Sequence, residues 1–189
     1  MTESPAPTRA EASDVATAVF DGADAVMLSA ETAIGSFPIE TVNIMDRIIS
    51  SAERHIHKHP GDGPQGLVAE SFVYNAVSRS AVSLAESVKA KAVVAFTASG
   101  NTANRMARER PNLLLVVMTP EVNVKRKLSL LWGAYPFLSK VQGYEAAIQE
   151  AREIITKEKL AAKGDSIVVV AGMPFGISGS TNSIRVVEI

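Results

Sequence analysis

The sequence predicts an α/β protein whose larger part is a three-layer domain, with a mostly parallel five-stranded sheet between layers of helices. Helix-like and strand-like segments alternate from about residue 67 to the end of the 189-residue chain. The strand segments are short, continuous apolar runs, which are typical of parallel strands buried on both faces. A helix-free loop separates the last two strands, so we expect the final strand to pair antiparallel at an edge of the sheet.

A capping box predicts the first helix. Thr8 is followed three residues later by Glu11, so the hydroxyl can accept the third helical N–H while the carboxylate accepts the N–H of Thr8. We therefore expect a helix that begins at Arg9 and ends near Gly22.

A strand and a long helix are expected next. The apolar run 25–28 predicts a buried strand, and Pro38 suits the first turn of a helix that continues to about His59. Apolar residues recur along that helix at helical spacing. Proline and glycine then interrupt all periodicity over 60–66, so we place a linker and a domain boundary there.

Beyond the linker the alternation is regular. Helices are predicted over 68–88, 102–110, 122–131 and 144–160. Strands are predicted over 92–97, 113–119, 134–138, 166–171 and 183–188.

The composition of the chain argues against several classes of function. Hydrophobic residues make up 47% of the chain, and 19 basic against 20 acidic residues give a net charge of −1. This balance favours neither nucleic acid nor an anionic membrane as a partner. The absence of cysteine excludes disulfides and thiol chemistry. With no secretory signal and no apolar run of about 18 residues, we expect a soluble, cytoplasmic protein.

The loop over residues 97–103 has the residue types of an anion site. Thr97, Ser99 and Thr102 offer hydroxyls, and Gly100 lets a ligand approach the backbone. The helix that follows would present free N–H groups and a partial positive charge. The alternative is an ordinary helix cap in a tight strand-to-helix turn, because the same residue types are favoured there.

A second loop, over residues 172–182, is also rich in glycine and hydroxyl residues. It is not a Walker A loop, because the lysine is missing and the loop leads into a strand. By itself it is a long connection between two strands. Both loops follow the carboxyl ends of predicted strands, where open α/β sheets bind ligands.

Two clusters of cationic residues have simpler interpretations. The three histidines within residues 55–59 lie at a predicted helix end, so we interpret them as a solvated terminus and predict no metal site. We interpret Arg105, Arg108 and Arg110 as exposed helix faces. The alternative for these arginines is a phosphate partner or an ion pair at a subunit interface.

The amino-terminal motifs resemble pyruvate kinase. They are PTRAE at residues 7–11, DGADAVMLSAETA at 21–33, Gly35, and Phe-Pro-Ile-Glu at 37–40. In that family this stretch supplies the seventh helix, eighth strand and final helix of the catalytic (β/α)8 barrel. The resemblance implies that residues 1–59 are a remnant of the barrel, that 60–66 are a linker and that 67–189 are the C-terminal effector domain.

The same resemblance assigns a binding role to the two loops. The first is similar to the family's effector phosphate loop, and the second to the loop that closes over a sugar phosphate or a nucleotide phosphate. Asn101 stands where several relatives carry a cationic residue. The implied effector residues are Thr97, Ser99, Gly100, Asn101 and Thr102 in the first loop and Ser178, Gly179, Ser180 and Thr181 in the second.

Pyruvate kinase transfers the phosphoryl group of phosphoenolpyruvate to ADP, with Mg²⁺ and usually K⁺. Such chemistry needs a cation on the moving phosphoryl group and carboxylates on the metal. None of the motifs matched here supplies them, and the resemblance leaves only Ser29 and Glu31 as peripheral catalytic residues. We therefore expect this chain alone to bind no metal and to lack kinase activity. The family is typically tetrameric, which implies a homo-oligomer. The alternative is a stand-alone module that binds a phosphate ligand or a partner protein.

Overall fold

In the computed structural model the chain divides into two units, Met1–Gln65 and Gly66–Ile189. The structure describes residues 1–59, 63, 73–175 and 180–189. Of the predicted linker over 60–66, only residue 63 is among them. Within the described residues, none of the helices combines the length and the apolar composition that a membrane span requires.

The described residues of the first unit form the helices α1 (Arg9–Phe20), α2 (Ala30–Ala33) and α3 (Pro38–Lys58). The predicted capping box is confirmed at α1. The backbone N–H of Glu11 donates to Thr8 Oγ1 at 3.2 Å, and the N–H of Thr8 donates to Glu11 Oε2 at 2.7 Å. Gly22, at φ 87°, follows the end of α1, as the sequence predicts. Both α1 and α2 pack against α3.

The predicted strand over residues 25–28 is wrong. These residues have no strand conformation, and the side chain of Met27 is 84% exposed. A strand requires a neighbouring strand to accept and donate its backbone hydrogen bonds. The described residues of this unit include no strand to pair with. The short helix α2, which the sequence did not predict, follows directly.

The second unit alternates helices and strands as predicted. Its elements are α4 (Val73–Ser87), β1 (Ala92–Phe96), α5 (Asn101–Arg108), β2 (Leu114–Thr119), α6 (Val122–Leu128), β3 (Ala134–Leu138), α7 (Tyr144–Lys157), β4 (Ser166–Gly172) and β5 (Thr181–Glu188). The boundaries differ from those predicted by at most three residues, apart from the start of the first helix. Residues 68–72 of that predicted helix lie outside the described residues.

The five strands form one sheet in the order β3-β2-β1-β4-β5. The first four are parallel, with Val94 of β1 opposite Val116 of β2 and Val169 of β4. Strand β5 pairs antiparallel with β4, placing Arg185 opposite Val169. The predicted mostly parallel sheet with an antiparallel edge strand is therefore confirmed.

Helices cover both faces of the sheet, which confirms the three-layer architecture. Alternate strand residues face opposite sides, as the period of a strand requires. One face packs against α4, α5 and α6, and its wholly buried residues include Met106, Leu115 and Val168. The other face packs against α7, and its wholly buried residues include Val116 and Ile155. The continuous apolar strands of the sequence are thus buried from both sides.

Candidate functional site

A cavity of about 620 Å³ lies at the carboxyl ends of the parallel strands. From β1 the chain runs to β2 and β3 through helices on one face, and from β3 it crosses to β4 through α7 on the other face. The strand order therefore reverses between β1 and β4. At such a reversal the loops diverge to opposite faces and leave a crevice, which is where open α/β sheets bind ligands.

The first wall of the cavity is the predicted anion loop after β1. Thr97, Ser99, Asn101 and Thr102 line the cavity. Gly100 does not line it but shapes the loop: at φ 89° it caps α5, and its N–H donates to Thr97 Oγ1 at 2.9 Å. A side chain at this φ would be strained, which explains the glycine. The loop therefore places its hydroxyl-bearing residues and the start of α5 at the same cavity.

The second wall is the end of the loop that joins β4 to β5. Ser180 and Thr181 line the cavity, whereas Ser178 and Gly179 lie outside the described residues. Thr181 Oγ1 is 2.8 Å from Thr102 Oγ1, and both residues are buried. This hydroxyl pair joins the two loops that the sequence identified. Two hydrogen bonds between Asn182 and the backbone of Met173, each 2.8 Å, close the base of the second loop.

The third wall, residues 139–143, was not predicted. It follows β3 and includes Ser139, Lys140 and Gln142. The hydroxyl of Ser139 donates to the carboxylate of Glu150 on α7, and its N–H donates to the carbonyl of Thr119 at 2.9 Å. The sequence contains a feature that indicates this wall, because polar residues follow a predicted strand here, as they do after β1. Because the strands are parallel, both loops reach the same edge.

The charged residues that line the cavity are cations. They are Arg105, from the second turn of α5, and Lys140, and no carboxylate lines the cavity among the described residues. The interpretation of Arg105 and Arg110 as exposed helix residues is wrong, because both are half-buried. The guanidinium carbon of Arg105 lies 4.0 Å from the centre of the Tyr74 ring, and that of Arg110 lies 5.0 Å from the centre of the Trp132 ring. A cavity with this charge and several hydroxyl and N–H donors is suited to an anionic ligand.

Ser29 and Glu31 lie in the first unit, at the start of α2. A carboxylate oxygen of Glu31 accepts the N–H of Ser29 at 3.0 Å. The N–H of Glu31 itself, and then that of Ser29, lower the pKa of the Glu31 carboxyl, because they stabilise its ionised form. The two residues are therefore brought together as a local helix-start motif.

The histidines at the end of α3 form a ring cluster. The rings of His55 and His59 are 4.6 Å apart between centroids, and His55 also contacts Phe20 edge-on at 5.8 Å. Throughout the described ranges, no group of three His, Asp or Glu side chains is placed to hold a metal ion.

The strand order and the position of the cavity define the second unit as an α/β domain of the open-sheet class. Residues 75–187 match the family model "Pyruvate kinase, alpha/beta domain", and residues 1–42 match "Pyruvate kinase, barrel domain". The chain belongs to the pyruvate kinase family.

Comparison with individual proteins gives the same family. The chain is 48% identical over 191 residues to a pyruvate kinase of Agrobacterium vitis, covering all of this chain and 39% of that protein. It is 40% identical over 187 residues to a pyruvate kinase of Methylorubrum extorquens, covering 98% and 39%. A crystal structure of a pyruvate kinase from Cryptosporidium parvum superposes with a TM-score of 0.83 at 34% identity, covering 99% and 37%. The chain thus spans about two fifths of the length of the relatives it matches.

Proposed function

We propose that this chain acts as the regulatory portion of a pyruvate kinase and that its cavity binds a phosphate-bearing effector, either a sugar phosphate or a nucleotide. The observation that carries the proposal is the convergence of the 97–102 loop and Ser180–Thr181 on one cavity lined by cations and by no described carboxylate. Phosphate groups are recognised by hydroxyls, by N–H groups at a helix start and by arginine or lysine.

Each part of the loop geometry supports a phosphate ligand. Thr97, Ser99 and Thr102 place hydroxyls on one wall, while Gly100 turns the chain so that α5 begins at the cavity. Ser180 and Thr181 close the opposite side, and Arg105 and Lys140 supply positive charge. This charge raises the local concentration of an anionic effector and strengthens its hydrogen bonds.

The parent reaction is the transfer of the phosphoryl group of phosphoenolpyruvate to ADP, which gives pyruvate and ATP in glycolysis, in the cytoplasm. Family membership implies Mg²⁺ and K⁺ in the parent enzyme. Among the described residues, no group of three His, Asp or Glu side chains is placed to hold a metal ion, and none of the motifs shared with the family supplies the metal-binding carboxylates that phosphoryl transfer needs. We therefore propose that this chain alone does not catalyse the transfer and that it serves a homo-oligomeric enzyme.

Ligand-dependent thermal unfolding of the purified chain tests the effector site. AMP and ribose 5-phosphate are compared with adenosine and ribose. We expect only the phosphorylated compounds to stabilise the chain, by about 2.7 kcal/mol at a free concentration 100 times the Kd. Ser99→Ala should weaken this stabilisation, whereas Ser87→Ala, at an exposed hydroxyl on α4 that bonds only the Ser83 carbonyl, should not. Equal stabilisation by adenosine and AMP would contradict a phosphate site.

A coupled pyruvate assay tests the second part of the proposal. We expect no pyruvate from the 189-residue chain with phosphoenolpyruvate, ADP, Mg²⁺ and K⁺. A turnover in the usual range of enzymes, about 1–10³ per second, would refute the proposed inactivity. A further outcome is that phosphorylated compounds bind but do not change the activity of a complete catalytic barrel joined to this chain. In that case the chain is better described as a stand-alone binding module.

A further inference from the structure

Arg105 occupies a position in the cavity that the resemblance did not assign. It lies four residues after Asn101 on α5, so both residues occupy the same face of the helix and both line the cavity. Asn101 is uncharged, and the 97–102 loop therefore offers hydroxyls and N–H groups but no positive charge. Arg105 is the cation that α5 contributes to this cavity.

The Arg105 guanidinium is held in place but incompletely paired. Its central carbon lies 4.0 Å from the centre of the Tyr74 ring, a stacking contact that limits the freedom of the side chain. Its Nη1 is buried, and within the described ranges it has no hydrogen-bond partner. Buried cationic donors without an acceptor are rare in folded proteins, because the lost hydration is not replaced.

The acidic residue nearest along the helix is already engaged. Glu109, four residues after Arg105, accepts a hydrogen bond from Arg79 Nε at 3.3 Å. No carboxylate lines the cavity among the described residues, so the described side chains around the ligand space offer Arg105 no counter-charge. An anionic ligand in the cavity would supply one.

We propose that Arg105 determines the charge preference of the cavity by pairing with the phosphate of a doubly charged phosphomonoester. The inference rests on the proposed function and adds the residue that selects the ligand. A guanidinium has five N–H donors in a planar fork and pairs with two phosphate oxygens at once. Together with Lys140 it places two positive charges in the cavity, which favours a dianion over a monoanion.

Titration calorimetry at pH 8 tests the proposal with pairs of probes that differ in phosphate charge. AMP is compared with cyclic AMP, and ribose 5-phosphate with its methyl phosphodiester. Arg105→Gln is expected to weaken binding of the monoesters by about 10- to 100-fold, the usual range for a charge-assisted hydrogen bond. The preference for monoester over diester should fall with it. The matched control is Arg108→Gln on the exposed side of the same helix, which should stay within about twofold of wild type.

A second variant keeps the test decisive if Arg105→Gln does not fold. Arg105→Lys retains the charge but loses the fork, so we expect about a three- to tenfold weaker monoester affinity. Wild-type affinity in either variant overturns the proposal, as does an equal loss for monoesters and diesters, because a merely structural role would affect both alike. An equal loss in Arg108→Gln also overturns it. If the wild-type chain binds none of the probes, the proposed function itself fails, and this result is distinct from the others.

Discussion

The buried hydroxyl pair between Thr102 and Thr181 should make the two loops at the cavity energetically dependent on each other. Their oxygens are 2.8 Å apart, and the side chains are 6% and 4% exposed. Thr102→Val removes one partner and leaves the Thr181 hydroxyl buried without its hydrogen bond, which destabilises a protein by about 1–3 kcal/mol. The reverse substitution, Thr181→Val, should have a similar effect. Replacing both residues by valine removes both polar groups from the interior, so the double variant should lose less than the sum of the singles.

Urea unfolding of the four proteins in this cycle measures the coupling. Trp132 is the chain's single tryptophan and lies in the second unit, so its fluorescence reports on the unfolding of that unit. We expect a coupling free energy of about 1 kcal/mol or more, with unchanged denaturant dependence in all four proteins. Each single substitution should also lower the melting temperature by about 4 °C per kcal/mol. Strictly additive effects would refute the idea that these hydroxyls stabilise each other.

Four further substitutions probe the core, two glycine turns and the first helix. Ile155→Ala, at a wholly buried position of α7, should lower the free energy of unfolding by about 2–5 kcal/mol in urea titrations. Gly100→Ala and Gly133→Ala both place a side chain at positive φ, and each should lower the free energy of unfolding by about 1–2 kcal/mol. Only Gly100→Ala should also weaken phosphate binding, as measured by calorimetry. The amino-terminal ammonium, and then the backbone and hydroxyl groups of Thr8, lower the pKa of Glu11 from 4.5 to about 2. Because the pKa of Glu11 is lower in the folded state, its ionised carboxylate stabilises the fold above pH 4.5, and this stabilisation is lost as the pH falls toward 2. The melting temperature of Glu11→Gln, measured by circular dichroism, should therefore depend less on pH over this window than that of wild type.

The sequence predicted the second unit well because its strands are buried on both faces. Runs such as Ile167–Ala171 are continuous and apolar, so the strands stand out from amphipathic helices without any knowledge of the tertiary structure. The bounds of β3, Ala134–Leu138, were predicted to the residue because Gly133 precedes the strand and polar residues follow it. The antiparallel edge strand was predicted because the sequence between the last two strands has no helical pattern.

The same logic failed over residues 25–28. The run Ala-Val-Met-Leu is as apolar as a buried strand. A strand forms only by hydrogen bonding to a neighbouring strand, and the described part of the first unit contains no such strand. Met27 is consequently exposed. Local sequence cannot show whether a partner strand is present, because strand pairing is a long-range property.

The candidate site was predicted in part. Glycine and hydroxyl residues identified the first loop and the end of the second, and the parallel topology explained why they meet. Residues 139–143 reach the cavity because β3 ends at the same edge of the sheet as β1, which the predicted parallel topology implies. The partial burial of Arg105 could not be predicted from the sequence, because it depends on contact with Tyr74, a residue of another helix more than 30 positions away.

A titration followed by amide NMR tests the central claim most directly, because it shows both whether a phosphate ligand binds and where. With the isotope-labelled chain and AMP or ribose 5-phosphate, we predict saturable shifts at the amides of Ser99, Gly100 and Thr102. Smaller shifts should appear at residues 139–143 and at Thr181, while adenosine and ribose should leave the 97–102 loop unchanged. Saturable shifts confined to other parts of the chain, or none with any phosphorylated compound, would contradict an effector site at the carboxyl ends of these strands.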